Sequence, residues 1–251
     1  MSDSTNNKRW SRREALGILT AAGAAWSSAC GSDSPTAPTS TTATATTPAT
    51  TTTTTTPPAT TAPPTSSGAC AVTPTETIGP FPSLADFTRS DIRENKQGLP
   101  VTLTIAVVNT NSACAPVSGA VVDIWQCDAD GNYSQYGNER NLTYLRGLQT
   151  TDSTGKVTFV TIYPGWYQGR ATHIHIEVTM NGRSVKVTQI AFPETINNAV
   201  YGTGVYASRG SNPTSNLQDG IFADSLSSEL VTPSGNPTAG YSASYQVGVS
   251  V

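Results

Sequence analysis

His173-Ile-His-Ile-Glu-Val-Thr-Met180 alternates without a break: Ile174, Ile176, Val178 and Met180 occupy one parity, and His173, His175, Glu177 and Thr179 the other. A period of two puts the apolar set on one face of a β-strand and the imidazoles together on the opposite face. Asn181-Gly182 follows at once, the dipeptide of a tight hairpin, and the pattern repeats upstream. Val157, Phe159 and Thr161 alternate in one run, and Val101, Leu103, Ile105 and Val107 in another. Turn signals at Asp128-Ala-Asp-Gly131 and Asp152-Ser-Thr-Gly155 separate these runs, and no stretch keeps a helical period for the length of a helix. The expectation is an all-β fold, a two-sheet antiparallel sandwich with long irregular connections between Thr73 and Pro100 and after Pro193.

This domain spans residues 70–251, and what precedes it has another character. Of the 14 Lys and Arg, four (Lys8, Arg9, Arg12, Arg13) lie in the first 13 residues, and the next is Arg89. Arg12-Arg13 precedes an uncharged stretch from Ala15 to Ala29 that is too short and too rich in Ala, Gly and Ser to span a bilayer. Residues 1–30 therefore resemble a twin-arginine export signal, without the usual Phe after the pair. Cys30, after Ser27-Ser28-Ala29, resembles the lipidated cysteine of a lipoprotein box, and ordinary cleavage near Ala29 remains the alternative. Residues 31–69 are nearly all Thr, Pro, Ala and Ser, with a run of threonines from Thr50 to Thr56. Such a segment buries too little surface to offset its ordering entropy and reads as a disordered linker. The expected location is outside the cytoplasm, with the domain tethered to the cell surface or released, and with membrane contact only through the signal or a lipid.

From Cys70 onward 10 basic residues face 14 acidic ones with no basic cluster, so the footprint of nucleic-acid binding is missing. Three cysteines remain there. In an exported chain two are expected to be oxidised. Cys127 follows the apolar run Ala120–Trp125 and reads as a buried thiol, whereas Cys70 and Cys114 sit at loop ends, which predicts a Cys70–Cys114 disulfide.

His173 and His175 are the chain's two histidines. Adjacent imidazoles on one strand face form half of a metal site, although His-x-His alone also fits two polar positions on a solvated face. Glu177, one step further along that face, would complete a two-histidine, one-carboxylate ferrous set. The upstream segment points elsewhere. Tyr163-Pro-Gly-Trp-Tyr-Gln-Gly-Arg-Ala-Thr-His-Ile-His175, together with Thr75-Glu-Thr-Ile-Gly-Pro-Phe81, Gly119-Ala-Val-Val-Asp-Ile-Trp-Gln-Cys-Asp-Ala-Asp-Gly-Asn-Tyr133 and Leu145-Arg-Gly-Leu-Gln-Thr-Thr-Asp152, resembles the intradiol ring-cleavage dioxygenases in several spaced motifs.

The resemblance implies a non-haem Fe(3+) ion held by Tyr133, Tyr167, His173 and His175. Two phenolates suit a hard trivalent cation and, with one hydroxide, cancel its charge in a buried site. It further implies that Arg170 stabilises negative charge on the substrate ring, that Gln189 and Pro80 line the cavity, and that Tyr167 takes part in proton movement. The partners it implies are a catechol-type aromatic diol and O2, with ring opening between the two hydroxylated carbons to a muconate-type dicarboxylate. For Gln189 the register matters: a two-residue turn at Asn181-Gly182 pairs His175 with Thr188, and a three-residue loop pairs it with Gln189. Ile78 and Pro82 depart from the common entrance motif, which leaves the ring substituents open, and the stalk replaces the helical segment through which some members dimerise, so the oligomeric state is open too. The rival reading is a metal-free, transthyretin-like binding module on a stalk, which fits the tether but leaves the four ligand positions unexplained.

Overall fold

The structure, a computed structural model, describes residues 70–251. The signal segment with Arg12, Arg13 and Cys30, and the linker to residue 69, lie outside the described residues. Among the described residues nine strands form two sheets: β1 (Pro100–Asn109), β2 (Ala115–Pro116), β3 (Val121–Trp125), β4 (Arg146–Thr150), β5 (Lys156–Ile162), β6 (His173–Met180), β7 (Arg183–Ala191), β8 (Ser234–Asn236) and β9 (Gly240–Val249). One sheet has the order β2-β1-β9-β8, with β5 also on β1, and the other β4-β3-β6-β7. The alternating residues read from the sequence form the core between them, with Leu103, Ile105, Phe159, Ile174, Ile176 and Val178 buried beside Val122 and Ile124. Stripes of β-branched and aromatic side chains on facing sheets exclude water, and each large side chain so buried contributes roughly 1.5–3 kcal/mol.

Two features differ from the sequence expectation. The region after Pro193 is not merely irregular: it holds two short helices, α1 (Glu194–Tyr201) and α2 (Leu226–Glu229), and then β8 and the ten-residue β9. Tyr241, Ala243, Tyr245, Val247 and Val249 of β9 do alternate inward, but small and polar residues between them weaken the pattern. β9 also runs parallel to β1, pairing Val101 with Tyr241 through Asn109 with Val249, whereas the other strand pairs are antiparallel. A parallel pair requires a long return connection, and the excursion from β7 through both helices supplies one.

The β6–β7 hairpin settles the register in a third way. Asn181 and Gly182 have φ of 51° and 73°, the left-handed pair of a two-residue turn, and Met180 faces Arg183 across it. A bulge at Val178/Thr179 then absorbs one residue of β7, so His175 faces Gln189. The short turn and the glutamine register are therefore compatible.

Cys70 and Cys114 are joined, with Cα atoms 5.6 Å apart and a separation of 44 positions in sequence, and Cys127 is buried and free. The start of the domain is also tied to β9, where Thr73 N donates to Gly248 O (3.0 Å) and Gly248 N to Thr73 Oγ1 (2.8 Å). Replacing both bridge cysteines by Ser should lower the unfolding free energy by about 4 kcal/mol on the loop-entropy estimate. Urea titrations with and without the replacement check this, and coincident midpoints would contradict it.

Candidate metal and substrate site

Trp125, Arg146, His173, His175 and Gln189 lie on the face of the β4-β3-β6-β7 sheet that points away from the core, yet all are buried. Segments outside the sheet cover them. Glu76 N donates to Val187 O (2.9 Å) and Gln189 Nε2 to Thr77 O (2.8 Å), laying the segment around residues 76–81 along the sheet. At Gly79, whose φ is +74°, a Cβ would stand 2.9 Å from His175 Cε1, so only glycine allows this approach. The Trp125 indole stacks parallel on a face of the same imidazole, centroids 4.9 Å apart.

Two loops bring in the tyrosines. After β3, Asp128 Oδ1 accepts from Asp130 N (3.1 Å) and Asn132 N (2.8 Å), closing a turn that presents Tyr133. Lys96 Nζ holds the other Asp128 oxygen at 2.7 Å. In the loop between β5 and β6, Gly165 packs so tightly that a Cβ would stand 2.2 Å from Asp128 O. Trp166, under the Arg209 guanidinium at 3.7 Å, donates through Nε1 to Gly210 O (3.1 Å) and anchors the next residue, Tyr167.

The result is one cavity of about 180 Å³ lined by Pro80, Tyr133, Tyr167, Arg170, His173 and His175, among others. Tyr133 Oη stands 3.2 Å from His173 Nε2, which stands 3.1 Å from His175 Nε2. His173 Nδ1 is 2.6 Å from Ala171 O and donates to it, leaving the Nε2 lone pair toward the cavity. Burial, and then the Arg170 charge, lower the His173 pKa to about 4, and burial holds His175 well below the ordinary value, so both rings are neutral donors. His175 Nδ1 is buried and has no hydrogen-bond partner among the described residues. Burial also pushes the Tyr133 phenol well above its usual value, so its phenolate requires a compensating positive charge. Converging lone pairs, neutral imidazoles and a phenol that ionises only beside a cation fit a hard metal ion. Glu177 does not complete a carboxylate set: among the described residues no group of three or more His, Cys, Asp or Glu side chains is placed to hold a metal, and Glu177 pairs across the sheet with Asp123.

Arg170 is aimed by Gln189 and by a second neighbour, Asp219, that the sequence did not reveal. Its Nε donates to Asp219 Oδ2 (2.8 Å) and its Nη2 to Gln189 Oε1 (2.6 Å). Asp219 is itself buried and fixed by Ala171 N (2.7 Å) and Ile221 N (2.9 Å). Gln189 therefore spans from Thr77 on the covering segment to Arg170. No motif marks Asp219, which arrives from the long excursion before β9. Arg146, within Leu145–Asp152, is a second supporting residue that no local pattern marks. It is fully buried, and its fork reaches Ser134 O (2.6 Å), Ser134 Oγ (2.9 Å) and Phe81 O (2.9 Å), fastening both the residue after Tyr133 and the ring stacked on Tyr133. Cys70 and Cys114 belong to the far edge of the fold and not to this cavity.

A family model for dioxygenases matches residues 80–209, just over half of the chain. The chain belongs to the intradiol ring-cleavage dioxygenase family. The chlorocatechol 1,2-dioxygenase of Rhodococcus opacus is 29% identical over 121 residues, covering 40% of this chain and 46% of that protein. The catechol 1,2-dioxygenase of Candida albicans is 32% identical over 114 residues, 37% of this chain and 38% of that protein. The chain thus matches less than half the length of these curated relatives. The solved intradiol ring-cleavage dioxygenase from Tetranychus urticae superposes with a TM-score of 0.66 at 29% identity, over 72% of this chain and 95% of that one.

Removing Arg146 should strand buried carbonyl acceptors. Arg146→Ala should cost about 3 kcal/mol or more in unfolding free energy, whereas Arg93→Ala, which breaks an exposed pair with Asp91, should cost at most about 1 kcal/mol. Chemical denaturation of both variants checks the contrast, and equal losses would contradict the role given to Arg146.

Proposed function

We propose that this dioxygenase opens a catechol-type aromatic diol between its two hydroxylated carbons, and that both atoms of O2 enter a muconate-type dicarboxylate. The observation that carries the reading is the meeting of Tyr133, Tyr167, His173 and His175 around one cavity with Arg170 on its wall. Those four side chains would hold a non-haem Fe(3+) ion. Such an ion, when bound, makes the diol more acidic and mediates electron sharing between diol and dioxygen.

The protein's own contribution follows from the geometry. Tyr133 is buried and suits a permanent ligand, whereas Tyr167 is half-buried on a loop, so Tyr167, as a phenolate, would be the group placed to accept a proton from an incoming diol and become the neutral phenol. Arg170, held by Asp219 and Gln189, presents a fixed positive charge where the ring becomes electron-rich, and a donor aimed in advance needs no reorganisation during the reaction. Trp125, buried and stacked on His175, keeps that imidazole out of water, which strengthens the charge interactions around it. Tyr and His ligands also distinguish this centre from a two-histidine, one-carboxylate ferrous centre. The sequence of residues 1–69 supports export, followed either by a surface tether through lipid at Cys30 or by release after cleavage near Ala29.

The full chain as purified should contain about one iron per chain and absorb visible light, because a phenolate bound to ferric iron transfers charge to it. Tyr167→Phe should shift that band with the fold intact. A colourless protein that also fails to take up added iron would leave the metal-free binding module as the better reading.

A further inference from the structure

A second compartment opens beside the first. It measures about 170 Å³, against about 180 Å³ for the cavity at the histidines, and Phe81, Tyr133 and Tyr167 line both. Phe81 is the ring around which they are arranged: it stacks on Tyr133 at 4.7 Å between centroids and meets Tyr136 and Tyr167 edge-on, each at 5.2 Å. Tyr136 lines the second compartment but not the first, and its hydroxyl donates to Pro82 O (2.8 Å), which fixes the ring as a wall. The remaining lining is polar. Glu139 is half-buried, its Oε2 3.8 Å from Lys96 Nζ, while Asn132 and Asn138 are exposed at the rim, and among the described residues neither asparagine side chain hydrogen-bonds to another group.

Two adjoining spaces of nearly equal size, sharing aromatic walls, suit a ligand with two ring-sized parts. The first space holds the metal-binding donors and Arg170, and is the one that takes the diol. The second offers flat aromatic faces for stacking and amide and carboxylate groups for hydroxyls. We infer that the preferred substrate is a catechol whose ring carries a second, hydroxylated aromatic ring, and that this second ring lodges among Phe81, Tyr136 and Asn138. The inference rests on the proposed cleavage reaction for the identity of the first ring. It makes Tyr136 and Asn138 determinants of specificity that stand apart from the reacting atoms.

Binding without turnover tests it. The full chain as purified, kept under nitrogen, is titrated by calorimetry with catechol and with a catechol bearing a para-hydroxyphenyl group on its ring. The two-ring probe should bind at least about tenfold more tightly, a modest return for burying a second ring. Asn138→Trp, an exposed change that fills the compartment, should erase the advantage while leaving the melting temperature in place. Equal affinity of the two ligands for the unaltered chain would overturn the inference, as would an advantage that survives in a folded Asn138→Trp. Admitting oxygen separates the two readings. Cleavage of catechol without a two-ring advantage sinks the second compartment alone, whereas a two-ring advantage with no cleavage of either ligand upholds the compartment and sinks the reaction.

Discussion

The contact between His173 and His175, with Nε2 atoms 3.1 Å apart on the outward face of a sheet, imposes most of the remaining structure. Two imidazoles pointing away from the hydrophobic core would ordinarily meet water. Keeping them neutral and dry requires a cover, and the cover requires backbone partners of its own. The pairing of Glu76 with Val187, the bond from Gln189 to Thr77 and the glycine at position 79 are how this chain meets that requirement. The sandwich core then acts as a rigid plate, and the chemistry is assembled between the plate and the segments laid across it.

Charge follows the same logic. Arg146 and Arg170 both enter the buried region, but they are compensated differently. Arg170 has a carboxylate, Asp219, and a neutral amide, Gln189. Arg146 is satisfied mainly by carbonyl oxygens, and burial lowers its pKa only to about 10, so it stays charged. One arginine is thus free to act on a ligand and the other is spent on holding the loop of Tyr133. The different partners explain how the site carries two guanidinium groups near one cation position: Asp219 offsets the charge of Arg170, and carbonyl oxygens solvate that of Arg146, before any metal or substrate arrives.

Much of this was legible in the residues. The alternation around His173–Met180 and in the runs containing Leu103 and Phe159 announced buried strand faces, because a period of two survives in the sequence whatever the topology. The site's ligand candidates were visible because they sit in dense local motifs. Topology and support were less visible. β9 was missed because Tyr, Ala and Ser dilute its pattern, and its parallel pairing depends on a connection of nearly fifty residues. The bulge that turns Gln189 toward the histidine side leaves no mark in composition. Asp219 was hidden for the same reason, since it reaches Arg170 from 49 positions away and no local spacing encodes such a meeting.

In the proposed function, tyrosine oxygens and histidine nitrogens, without a carboxylate, hold the metal and thereby direct where the ring opens. Product analysis after incubation of the full chain with catechol and isotopically labelled O2 addresses it most directly. A colourless diacid in which each new carboxyl group carries one labelled oxygen is the expected product. A yellow semialdehyde, from cleavage outside the two hydroxylated carbons, would contradict it.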